Sequence, residues 1–297
     1  MKKLTLLILS ALLINTAHSQ KDKVYSSLED ALQNPAEVYI LSLADKKLSS
    51  VPADVFKFPN LVTLDLSYNK ISSLPENITQ LKSLTEMNLS GNKLGNLPAA
   101  VTKMTSLTEL DLSDNNLSAL PASFSNLTSL KVLYLTNNKF KAIPDAIFKL
   151  SSLTELYIYG NMLASLTESI GKLTNLAELG LGGNLLFALP ESITQLKRLK
   201  YLALSYNKFM TLPASITSLP NLTVLDLNNN KLLELPQDIG KLNALQELYL
   251  ASNKLKTLPE SITQLQNLQT INLRDNSSLK LADTQKTFIE DKKLHTP

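Results

Sequence analysis

Residues 61–84 read LVTLDLSYNKISSLPENITQLKSL, and this frame of leucines, one asparagine and a leucine-proline pair returns every 23 residues down the chain. Ten asparagines mark the period: Asn69, Asn92, Asn115, Asn138, Asn161, Asn184, Asn207, Asn230, Asn253 and Asn276. Around each the pattern is LxxLxLxxNxL, as in Leu61, Leu64, Leu66, Asn69 and Ile71, or Leu222, Leu225, Leu227, Asn230 and Leu232. Most copies continue as LPxxIxxLxxL. A fixed period of this length marks one small structural unit copied end to end.

In the copy that starts at Leu130, Leu133 and Leu135 alternate with polar or exposed residues, the period-two signature of a short strand with one buried face. Its leucines meet Ile143, Ile147 and Leu150 from the returning arm, and a single copy leaves this apolar set half uncovered. Each fully buried Leu or Ile contributes about 1.5–3 kcal/mol, which offsets the ordering cost only when copies stack on both sides. The strands therefore align in parallel, one per copy, in a single elongated domain that a globular core would not allow at this length.

The repeated Asn turns the chain out of the strand, where its amide can bond backbone groups that the turn leaves unpaired. Prolines such as Pro75, Pro98, Pro121, Pro190 and Pro213 fix an extended or turned backbone and belong to the outer arm. In residues 75–84, Ile78, Leu81 and Leu84 recur at three-residue spacing, which fits 3₁₀ turns or a short helix better than a second strand.

The motif, over residues 38–281 in about eleven copies, resembles the leucine-rich repeat in its 23-residue LxxLxLxxNxLxxLPxxIxxLxxL form, as found in bacterial exported proteins and in the Ras-group scaffolds. The resemblance implies an α/β solenoid: a horseshoe with a parallel concave β-sheet and short helical or 3₁₀ convex segments. It also implies a protein that binds other proteins, without naming them.

Both ends depart from the pattern. The first copy has Lys46 in place of the Asn, and before it Ser26-Ser27-Leu28-Glu29-Asp30-Ala31-Leu32 carries a helix start, so residues 20–37 are expected to form a capping helix. Residues 282–297 are expected to cap the other end, with Asp283 as N-cap and Phe288, Ile289 and Leu294 turned to the core. Residues 1–19, with Lys2, Lys3, an apolar run from Leu4 to Ile14 and Ala17-His18-Ser19, have the order of a cleavable signal peptide. That run is well short of the roughly 20 residues a bilayer span requires, so no membrane span is expected after cleavage near Ser19-Gln20. With no Cys for disulfide caps, a bacterial secreted, periplasmic or cell-surface protein is the expectation.

Cleavage removes two lysines and takes the formal charge from +3 to +1, since 3 − 2 = 1. No dense Lys/Arg cluster then remains, and nucleic acid is not an expected partner. Past residue 19 the one histidine is His295, and no cysteine occurs, which removes the usual triads, thiol nucleophiles and zinc sites. Glu155 and Glu178 occupy equivalent strand positions in adjacent copies, but an open sheet lacks the deep pocket that paired-carboxylate catalysis needs. A non-catalytic chain without metal or cofactor is expected.

The positions between the leucines list the concave surface copy by copy. Tyr134, Tyr157, Tyr159, Tyr201 and Tyr206 gather on it or its rim, around Gly180 and Gly182, where side chains vanish. This predicts a shallow depression walled by aromatic rings, with Glu155, Glu178 and Asp111 beside it, suited to a protein or peptide ligand carrying Lys or Arg. A glycan stacking on the rings is a second reading, and an intracellular scaffold with an uncleaved N-terminus a third. Drift of tolerant strand positions accounts for the same cluster without any ligand. In the same copies Thr167 replaces the proline, and Met162 and Leu185 replace the lysine that usually follows the Asn.

Overall fold

The computed structural model describes residues 20–292. The expected signal segment, Leu294 and His295 lie outside that range. A single parallel sheet runs in chain order from β1 (Val24–Tyr25) and β2 (Ile40–Ser42), with one strand per copy thereafter, to β12 (Thr270–Asn272). From β2 onward each strand is in register with the next at an offset of 23 residues: Leu133 faces Leu156, which faces Leu179. The solenoid therefore stays open, with no pairing between its two ends.

The leucines that alternate along each strand lie wholly inside. Leu133, Leu135, Leu156 and Ile158 have no exposed surface, and neither do Ile147 and Leu150 of the returning arm. That arm is built from 3₁₀ turns such as Glu76–Gln80, in which Ile78 N–H donates to the Pro75 carbonyl at 3.1 Å and Leu81 N–H to Ile78 at 3.2 Å. Proline presets the extended entry to this turn but is not required for it. Thr167 adopts the same conformation, φ −87° and ψ 160°, and its carbonyl accepts from Ile170 N–H at 3.1 Å.

All ten asparagines of the period are buried. Asn184 is representative: its oxygen accepts Leu163 N–H from the preceding copy at 3.0 Å, while its amide nitrogen donates to the carbonyls of Ile158 (2.9 Å) and Leu181 (3.0 Å). The residue before each Asn lies in the left-handed region, from Asp114 at φ +53° to Gly183 at φ +68°. Even Tyr68 and Tyr206 are held there at φ +55°, a conformation that disfavours a bulky side chain.

The N-terminal end is not one helix. Residues 20–37 contain β1, which pairs in parallel with β2, and a four-residue helix α1 (Leu28–Ala31) whose N-cap, Ser27, accepts Asp30 N–H at 3.3 Å. An edge strand covers the first copy more fully than a helix alone, because it satisfies that copy's strand backbone as well as its leucines. At the other end α2 (Asp283–Asp291) starts one residue earlier than expected, with Ala282 rather than Asp283 at the N-cap. The cap contact comes from Gln285: its oxygen accepts Ala282 N–H at 3.1 Å and its amide donates to the Leu258 carbonyl at 2.9 Å. Phe288 and Ile289 pack on the core edge.

Asn161 donates to the carbonyls of Leu135 and Tyr159 and accepts Phe140 N–H. Asn161→Ala strands three backbone groups and should lower the free energy of unfolding by about 1–3 kcal/mol in urea titration. An unchanged midpoint would show that these bonds carry no stability.

Candidate functional site

Strand alternation sends every second side chain onto the concave face, and the register then stacks equivalent residues of neighbouring copies at about 5 Å. Along β2 to β12 the strand residues include Asp65, Glu86, Glu109, Asp111, Glu155, Glu178, Asp226 and Glu247, and no Lys or Arg. The face is acidic although the chain as a whole is slightly basic.

Its centre is aromatic. In β6 (Val132–Tyr134) and β7 (Glu155–Tyr157), Tyr134 pairs in register with Tyr157, and their rings stack with centroids 5.0 Å apart and planes 8° from parallel. Tyr159, just past β7, continues the stack at 6.1 Å and 15°. The Tyr157 hydroxyl lies against two carboxylates, Glu155 Oε2 at 2.9 Å and Glu178 Oε2 of β8 (Glu178–Gly180). One hydroxyl hydrogen serves both, so it bridges adjacent copies. The Tyr159 hydroxyl donates to that of Tyr201, at the start of β9 (Tyr201–Ala203), at 3.2 Å.

The glycines do not leave an open depression. The Tyr159 ring lies on them: a Cβ on Gly180 would stand 2.3 Å from Tyr159 Cε2, and one on Gly182 3.1 Å from Tyr159 Cδ1. At this position the neighbouring copies have Thr136, Gly182 and Ser205, so Tyr159 is the one large ring here, and the missing side chains beside it make its berth. The surface is consequently a flat aromatic shelf with acidic edges. Tyr206 stands apart, 65% exposed on the rim in the turn before Asn207. Asp111, across from Tyr134, turns one carboxylate oxygen to its own chain, accepting Ser113 N–H at 2.8 Å.

Burial and the crowding of carboxylates shape the protonation of this face. Burial, then Glu86, Glu155 and Asp111, push the Glu109 carboxyl from 4.5 up to about 7. Burial raises Asp111 too, against the lowering bonds from Ser113. The phenols of Tyr134, Tyr157, Tyr159 and Tyr201 all lie above their usual value, burial being the first cause for each. The tripeptide Glu-Leu-Tyr recurs at residues 247–249, and there the Tyr249 hydroxyl donates to Glu247 Oε2 at 2.7 Å, with its own ionisation pushed up to about 12. Glu247 was not singled out from sequence, though a Tyr two residues after a Glu on one strand face is a signal that reveals such a pair.

Because Glu109 has a folded-state value above that of a solvated glutamate, folding favours its protonated form. Its contribution is fully present below 4.5 and is lost as pH rises to about 7. Glu109→Gln should therefore raise the melting temperature relative to wild type at about pH 8 and lose that advantage by about pH 4; a difference independent of pH would contradict the assignment. Gly180→Val should expel the Tyr159 ring, and ultraviolet titration should then find one more phenol ionising at about pH 10.

Sequence profiles described as leucine-rich repeat match residues 36–94 and 128–186, that of a leucine-rich repeat region matches 188–290, and that of two leucine-rich repeat copies matches 105–148. No curated protein matches the chain. Among solved structures it is similar to a TDR receptor at 27% identity and TM-score 0.72, covering 92% of this chain and 52% of that one. The ectodomain of the Arabidopsis thaliana receptor kinase GASSHO1/SCHENGEN3, solved with CASPARIAN STRIP INTEGRITY FACTOR 2, is 32% identical with TM-score 0.63, over 75% of this chain and 31% of that one. The functional domain of InlJ from Listeria monocytogenes is 25% identical with TM-score 0.67, over 82% of this chain and 49% of that one. The chain thus spans between 31% and 52% of the length of these three structures. With profiles matching from residue 36 to residue 290 with short gaps, and a parallel solenoid built on its Asn and Leu period, the chain belongs to the leucine-rich repeat family.

Proposed function

We propose that this chain is an exported, non-catalytic binding module that holds a cationic segment of a protein or peptide on its concave face, around Tyr134, Tyr157, Tyr159 and Tyr201. The observation that carries the reading is the charge of the sheet. Eight carboxylates and no Lys or Arg lie along its strands, and the stacked tyrosines sit among them. Bringing so many like charges together costs free energy, and an approaching Lys or Arg relieves it. The rings supply apolar area at little cost in side-chain entropy, since each has only two side-chain torsions.

Glu155, Glu178 and Asp111 flank the shelf, and Glu109 gains its charge near neutral pH. Gly180 and Gly182 act by seating Tyr159, while Tyr206 lies where a longer ligand crosses the rim. Export rests on residues 1–19, and among the described residues no helix is long and apolar enough to cross a membrane. Support for a protein ligand also comes from the plant ectodomain solved with its partner. Glycan stacking has less in its favour, because Tyr157 is stacked between Tyr134 and Tyr159 and its ring faces are turned to its neighbours.

Titration calorimetry with a lysine-arginine decapeptide and a glutamate-rich control tests the proposal. The cationic peptide alone should bind, more tightly at about pH 8 than at about pH 6 because Glu109 ionises over that range. Tyr134→Ala with Tyr157→Ala should weaken it at least about tenfold while circular dichroism stays unchanged. Undiminished binding by that variant would place the site elsewhere.

A further inference from the structure

Away from the concave sheet, the segment after each Asn forms a flank whose outward positions alternate around a buried leucine or phenylalanine. Leu186 and Phe209 are fully buried, while Leu185 and Phe187, and likewise Lys208 and Met210, point out on either side of them. In the copies before these positions turn apolar they are polar or tiny, as at Lys70, Ser72, Lys93 and Gly95. In four consecutive copies a large apolar residue takes at least one of the two: Met162, Leu185, Phe187, Met210 and Leu233 are all exposed, Phe187 by 63% and Met210 by 54%.

Backbone pairing makes this one continuous patch. Leu185 N–H donates to the Leu163 carbonyl at 2.9 Å, Lys208 N–H to Leu186 at 2.8 Å and Leu233 N–H to Met210 at 3.0 Å, so neighbouring rows lie side by side. Lysines bracket it along the same two rows. Lys139 and Lys141 stand at one end and Lys254 and Lys256 at the other, while Lys208 and Lys231 lie within the patch's own copies on the row directly after the Asn. All six are exposed, and none is in an ion pair among the described residues. Between residues 139 and 257 the four positions after each Asn hold a single acidic residue, Glu234.

We infer that this flank is a peripheral docking surface for an anionic lipid bilayer, with Phe187, Met210 and their apolar neighbours entering the headgroup boundary while the bracketing lysines meet lipid phosphates. The inference stands apart from the concave-face reading and uses none of its residues. Charge decides the occupant. A second copy related by a two-fold axis would set these lysines against lysines, which repels. A partner must instead offer apolar depth at the centre and negative charge at both ends, as an anionic membrane surface does in every direction. The amides of Met162, Leu185, Lys208 and Leu233 are already bonded to the preceding copy.

Co-sedimentation of the purified chain with vesicles of equimolar phosphatidylglycerol and phosphatidylcholine, against phosphatidylcholine alone, tests this. Binding should require the anionic lipid and weaken as salt rises. Phe187→Ser with Met210→Ser should reduce partitioning at least about tenfold, and Lys141→Glu with Lys256→Glu should abolish the preference for anionic lipid. Both pairs are exposed, so unchanged circular dichroism is expected, and Tyr134→Ala with Tyr157→Ala should bind vesicles as wild type does. No sedimentation with anionic vesicles, full sedimentation of the Phe187→Ser, Met210→Ser variant, or a dimer in solution that this variant dissolves would each overturn the inference.

Discussion

A buried asparagine amide has one oxygen to accept with and two hydrogens to give, and in this chain it spends all three on backbone. Asn184 ties Leu163 N–H of one copy to carbonyls of that copy and its own, and the same arrangement recurs down the solenoid. The turn it serves is left-handed, and its amides and carbonyls would otherwise be orphaned inside the protein. Leucines supply most of the driving force, but they are not directional. The amide is, and it sets the seam between copies at a constant offset, from which the shared register of β2 to β12 follows.

That register turns a linear sequence into two separately addressed surfaces. Strand positions build the concave face, where carboxylates and tyrosines gather, and the positions after each Asn build the flank, where most copies place lysine. A chain of formal net charge +3 thus carries an acidic face on its strands and a basic flank beside it.

Much of this was legible in the residues because burial leaves few options. A core position in a stacked copy tolerates leucine or a near relative, and a buried turn amide tolerates little but asparagine, so both recur and are readable. What was not legible depends on neighbours brought together only by folding. Tyr159 and Gly180 are separated by almost a full copy, and sequence places both in one cluster, yet only the register shows that the ring occupies the place the glycine vacates. The N-terminal strand β1 was missed for a similar reason: two residues have no period of their own, and they become a strand because β2 offers an edge. The helix α2 takes Ala282 as its N-cap because Gln285, reaching back to Leu258, decides the cap more than the local preference of Asp283 does.

The uniform seam has a further result for how such a chain changes over generations. Any copy meets its neighbours through the same pairing of leucine on leucine and asparagine on backbone, so an in-frame gain or loss of one whole unit rejoins surfaces that already fit. Recombination within the gene can therefore lengthen the array, or slide the tyrosine shelf relative to either terminus, without inventing a new joint. Novelty of recognition is decoupled from the risk of misfolding, and the irregular copies from residue 132 to residue 210 are where such a lineage has room to write.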